Sequence, residues 1–264
     1  MNKIVLGNGK IISKEIDKSL KVKIADKDKY LNVKSIHIDI CEDTSLFIEV
    51  LASNKMKFDF QINILKGVTC NIFETKKQGI YKVGYKYFLE DNATLNITRI
   101  NDVETTKEML IFNLNKNSNL NYLFKTISKN EEKYDLMIYH EGKGSKSNII
   151  NHGVNLLNGE LSFDVSGFVP KDIKACEVEQ KNQIINLTNN KCEIKPNLFI
   201  DEQDVIANHS AHIGKCNENE LFYLNSRGIS EKDAERLIIK GFLTKKLENK
   251  EIMEDIIQKY WTKD

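Results

Sequence analysis

The chain has 264 residues, with 39 Lys and Arg against 38 Asp and Glu and a net charge of +1. The charges are dispersed, which excludes a basic field for nucleic acid or an anionic membrane, and the length suits one large domain with a small appendage. Five cysteines, odd in number, widely separated and without a CxxC pair, argue against a disulfide framework or a self-contained zinc site and read as reduced thiols.

Residues 1–29 read as a lead-in to the first domain. Their apolar start is only Ile4, Val5 and Leu6, far short of a signal-peptide core, and no later run approaches membrane-spanning length. A soluble, cytoplasmic protein is expected. The segment "GNGKII" at Gly7 lacks the phosphate-loop pattern and does not join a strand to a helix, so it reads as a plain loop.

From about residue 30 to 215 apolar residues alternate with the period of strands, as in Ile36, Ile38, Ile40 and in Phe58, Phe60, Ile62, Ile64. A polar, turn-like cluster followed by a strand recurs in "LKGVTCNI", "LEDNATLNI" and "LNKNSNLNY", which places Cys70, Leu95 and Leu120 at equivalent positions 25 residues apart. Such a step fits one turn of a β-solenoid, where each turn buries its inner face by stacking on the next. An antiparallel sandwich with hairpins at this interval fits the same spacing. Over residues 30–215 the presence of just two prolines and one two-residue hairpin signal, Asn158-Gly159, favours the solenoid. "EGKGSKS" at Glu141 is again a loop rather than a phosphate cradle, so no nucleotide is expected to bind.

After Lys215 the period changes. Asn217 can cap a helix over "ENELFYLNS", Gly228 can end it, and Ser230 with Asp233 resembles a capping box for the next helix. In that helix Ala234, Leu237, Ile238, Gly241 and Phe242 share a face, and "EIMEDIIQKYWTKD" predicts a third helix with Ile252, Ile256 and Tyr260 in line. Residues 216–264 are too few to bury three apolar stripes alone, so they are expected to pack on the solenoid end or on another protein.

Among candidate functional side chains, His209 lies in "VIANHSAHIG" between Ala207 and Ala211 on one strand face. Small neighbours leave an imidazole room for a ligand, and neutral His suits iron; the plainer reading is a buried histidine bonded to a carbonyl. His212 reads as a solvated strand residue, and His140 and His152 offer no ligand spacing. Cys192 alternates with Ile194, Leu198 and Ile200, and Cys70 takes a repeat position, so both read as core. Cys176, among polar residues near Glu177 and Glu179, is the better candidate for an accessible thiol, and Lys215 beside Cys216 can lower that thiol's pKa.

The run "EQKNQIINL", then "IKPNLFI", "DVIANHSAHIGK" and "LFYLNSRGISEKDAERLIIKGF", resembles the C-terminal half of the SufB/SufD scaffold proteins of iron–sulfur cluster assembly, most clearly over residues 178–243. The resemblance implies a right-handed parallel β-helix over residues 30–215 and a C-terminal helical domain over 216–264. It implies a non-enzymatic scaffold that carries a transient cluster shared across a subunit interface, docks the ABC-type ATPase SufC, and pairs with a SufB-type paralogue or with itself. On that reading Leu221, Phe222, Tyr223, Arg227, Gly228, Ile229, Leu237, Gly241 and Phe242 form the ATPase dock. At the site the chain is closer to SufD: Lys181 stands where SufB-type proteins have a cysteine, and Ser210 follows the histidine where SufB has an acidic residue, whereas His209 matches the SufD histidine. His209, Cys176 and Cys192 are then the candidate cluster ligands. The late start of the strand pattern implies a short form of the family without an N-terminal helical domain. Two other readings are a structural adaptor that recruits the ATPase without touching iron, and a β-helix enzyme acting on polysaccharide.

Overall fold

The computed structural model describes residues 2–7, 10–25, 34–52 and 54–261. In chain order the strands are β1 (Asn2–Gly7), β2 (Lys10–Glu15), β3 (Leu20–Ala25), β4 (Lys34–Ile40), β5 (Thr44–Leu51), β6 (Lys55–Ile64), β7 (Thr69–Lys77), β8 (Ile80–Leu89) and β9 (Thr94–Asp102). They continue with β10 (Thr105–Leu114), β11 (Asn119–Ser128), β12 (Glu131–His140), β13 (Lys146–Asn155), β14 (Glu160–Val169), β15 (Cys176–Asn186), β16 (Cys192–Ile200) and β17 (Val205–Gly214). Three helices follow: α1 (Glu218–Ser226), α2 (Glu231–Thr244) and α3 (Glu251–Trp261).

From β4 onward successive strands alternate between an eight-stranded sheet, ordered β16-β14-β12-β10-β8-β6-β4-β3, and a facing nine-stranded sheet, ordered β17-β15-β13-β11-β9-β7-β5-β1-β2. Pairing is parallel from β4 and β5 onward, so the chain is a parallel β-solenoid of about seven turns followed by three helices. Cys70, Leu95 and Leu120 are direct neighbours across β7, β9 and β11, as the 25-residue step requires. Later turns lengthen: register neighbours Lys125 and His152 are 27 apart, and Asn151 and Asn182 are 31 apart.

The recurring polar clusters have a backbone cause. Gly67, Asn92, Asn117 and Gly144 hold φ of 72°, 58°, 53° and 71° at successive corners, a left-handed conformation that only Gly, Asn and Asp adopt at low cost. The Asn158-Gly159 signal does not make a hairpin. Its strands β13 and β14 lie in different sheets, and the corner is closed by Leu157 at φ 53° and by the Gly159 N–H donating to the Leu156 carbonyl at 2.8 Å. Strands also begin well before residue 30. β1 joins β5 in parallel, while β2 and β3 run antiparallel to β1 and β4, because Ile4, Leu6 and Leu20 extend the core ladder; Asn8 and Gly9 of "GNGKII" lie outside the described residues.

Burial follows alternation: Ile38, Ile48, Ile62, Leu95, Phe112, Leu120 and Phe163 fill the interior at 0% exposure. The helices do not cap the solenoid end. Ile239, Leu243, Met253, Ile257 and Trp261 pack on Ile100, Ile127 and Val154, which project outward from β9, β11 and β13. The outer face of the nine-stranded sheet carries enough apolar surface there to receive them, which an end-on reading of the sequence misses.

Candidate functional site

The last turn of the solenoid is open. Inward residues of β16 and β17 continue core ladders, as Phe163 to Ile194 and Gln180 to His209, but no further strand covers them. Consequently His209 points along the inner face yet is exposed, and the carbonyl-bonded buried histidine of the plainer reading is not found. Val205 and Ala207 on the same face pack with Val178 and Leu198, so the strand is anchored at its start and open from His209 onward. Lys181, one residue beyond the register partner of His209, faces outward and pairs with Glu179 at 2.6 Å.

The cysteines do not gather around His209. Cys176 is 1% exposed rather than accessible: its polar sequence neighbours face out while Sγ sits inside against the carbonyls of Gly142, Ile173 and Lys174. The alternation Cys176, Val178, Gln180, Asn182 carried that signal. Cys192 is half-buried against the core, and burial raises its pKa. Cys216 is buried too, and burial pushes its thiol up to about 11, overriding any help from Lys215. Among the described residues no group of three or more His, Cys, Asp or Glu side chains is placed to hold a metal ion.

The second surface is helical. Asn217 caps α1 by accepting from the N–H groups of Asn219 and Glu220, and Ser230 caps α2 by accepting from that of Asp233. Gly228, at φ 84°, turns the chain between them. Phe222 is 75% exposed, Tyr223 58% and Leu237 43%, while Arg227 lies over the Tyr223 ring at 5.4 Å. Leu221 and Ile229 are half-buried, and Gly228 and Gly241 exposed. Phe242 is half-buried, and its ring stacks on His152 of β13 with centroids 4.4 Å apart, which ties α2 to the solenoid.

The interior holds a charged network that the sequence did not disclose. Glu74, Lys76, Arg99 and Glu108 are all 0–2% exposed; Arg99 bridges the two carboxylates at 2.8 and 2.6 Å, and Lys76 reaches both at 2.9 Å. Burial alone would raise the Glu74 carboxyl, but Arg99 and Lys76 hold it at about 2. Among the described residues Glu132 has no cation within hydrogen-bond reach, and burial pushes it up to about 8 while Tyr134 and Thr126 donate to it. No helix is long and apolar enough to cross a membrane among the described residues.

Comparison with known proteins accords with this geometry. The chain is 36% identical over 113 residues to the iron–sulfur cluster assembly protein SufD of Bacillus subtilis, covering 42% of this chain and 26% of that protein. It is 33% identical over 106 residues to the SufBD family protein ycf24 of Galdieria sulphuraria, covering 39% and 47%. With SufD of Escherichia coli it shares 35% identity over 68 residues, covering 25% and 16%. Each match spans less than half of the relative's length. A family model described as SUF system FeS cluster assembly, SufBD core domain, matches residues 60–242, most of the solenoid and the first two helices, and the chain belongs to that family.

Proposed function

We propose that the chain is a scaffold subunit for iron–sulfur cluster assembly, with the cluster as its transient cargo. The observation that carries this reading is the presence of two open surfaces: a terminal turn exposing His209, and a helical face exposing Phe222, Tyr223 and Leu237. Strand edges left unpaired at β16 and β17 invite pairing with another chain, so a SufB-type paralogue or a second copy supplies the remaining ligands, including the thiolate that Lys181 replaces. Exposed aromatic and aliphatic side chains on α1 and α2 suit an ATPase of the SufC kind. This chain then contributes position and one imidazole rather than turnover.

The test is anaerobic reconstitution of the purified complex with iron and sulfide, followed by visible absorption. The scaffold reading expects a cluster in the parent complex and at least a several-fold loss with His209→Ala. Unchanged cluster content in that variant would remove His209 from the site, and a parent complex that holds no cluster would favour an adaptor that recruits the ATPase alone.

A further inference from the structure

A cleft of about 490 Å³ separates the outer face of the nine-stranded sheet from the helices, within the size range of small-molecule sites. Gln183 and His212 form its floor from β15 and β17, and Lys215 stands at the strand-to-helix junction. Ile238 and Phe242 give it an apolar wall from α2, and Lys245 closes it just past the end of that helix. Gly241 leaves part of the wall bare, since a Cβ built there would meet nothing within 4 Å.

The electrostatics of this place are unbalanced. Behind Phe242 lies Lys125 of β11, fully buried, with Nζ 2.6 Å from His152 Nδ1 and 3.5 Å from the Phe242 carbonyl oxygen. Among the described residues Lys125 makes no ion pair, and burial together with Lys245 and Lys246 brings its pKa down to about 7. His152 is likewise driven down to about 3 by burial and by Lys125, so it stays neutral, with Nδ1 2.6 Å from Lys125 Nζ and 3.3 Å from the Phe242 carbonyl oxygen. Lys215 and Lys245 line the cleft itself, where Glu220 is the one carboxylate among the described lining residues. A low-dielectric wall with surplus cations and little counter-charge is a site that an anion stabilises.

Against the sequence expectation, which rests on the missing phosphate loops alone, we propose that this cleft binds a small phosphate ester bearing a flat ring. The phosphate is drawn to Lys215 and Lys245, with Gln183 as an additional donor, and the ring rests against Phe242 and Ile238 beside the space that Gly241 leaves. Glu220 faces the same cleft and accepts from hydroxyl or ring-amine donors, which favours an ester over a bare polyanion.

Isothermal titration of the full chain with AMP, adenosine and inorganic phosphate tests this. The expected result is AMP binding in about the micromolar to millimolar range and clearly tighter than either fragment. Lys215→Ala and Lys245→Ala, both at exposed positions, should each weaken AMP about ten-fold with an unchanged melting temperature. Gly241→Leu should weaken AMP while leaving inorganic phosphate unaffected. Absence of AMP binding at millimolar concentration, adenosine binding as tightly as AMP, phosphate binding as tightly as AMP, or full affinity in both lysine variants would each overturn the assignment.

Discussion

Arg99 is among the largest fully buried side chains, and its environment shows how a solenoid interior can hold charge. Two carboxylates and two cations cancel, and Tyr85 and Tyr122 add hydroxyl partners to Lys76 and Arg99. Removing one member leaves an uncompensated ion in a low dielectric, which costs far more than the intact network contributes. Arg99→Met should therefore destabilise the chain by about 3–5 kcal/mol, read as a lower urea midpoint. Glu132 poses the opposite case. Burial raises its folded pKa to about 8, above the ordinary glutamate value of 4.5, so the folded state holds a proton that the unfolded chain releases. Stability from this group is complete below about pH 4.5 and is lost as pH rises through about 8. Glu132→Gln should flatten that decline in urea titrations between the two values, whereas an unchanged slope would place its origin elsewhere.

At the scale of the element, strands and helices differed in how much the sequence revealed. Inward strand positions read directly from alternation, because Cys70, Leu95 and Leu120 see the same surroundings in each turn. Glu74 and Arg99 occupy that same inward face, but a charged residue in an alternating pattern reads as solvated unless its partners one turn away are known. Cys176 misled for a related reason, since its immediate neighbours are polar while its own side chain turns inside. His209 was legible by its phrase, but its exposure depends on the solenoid ending there. The caps at Asn217 and Ser230 were legible because capping is local. Which helix face meets the solenoid is a tertiary fact: α2 buries Ala234, Ile239 and Leu243 and leaves Leu237 outside. This separates two variants. Phe222→Asp, at a 75% exposed position, should leave the melting temperature nearly unchanged yet, on the proposed docking of a SufC-type ATPase, abolish its retention in a pull-down. Phe242→Asp should instead lower the melting temperature, because it removes the ring stacked on His152. Retention of the ATPase by the Phe222 variant would move the dock off α1.

Over the whole molecule, the outer face of the eight-stranded sheet carries a stack of rings, Tyr139 on Phe168 at 4.7 Å and Phe168 on Phe199 at 4.8 Å, that stops at the free edge of β16. Phe199 is left 54% exposed there. If the terminal turn pairs with a second copy, Phe199→Lys should shift the chain toward monomer in sedimentation velocity, and an unchanged distribution would rule out pairing along that edge. The two ends of the solenoid are unlike. At the start, β2 and β3 reverse direction, β2 pairs through a bulge between Val5 and Leu6, and Lys14 and Lys21 lie on these outermost strands. A solenoid with two compatible ends would stack head to tail without limit. Among the described residues one end is reversed and the other open, so a pairing that begins at the last turn would not repeat through the first.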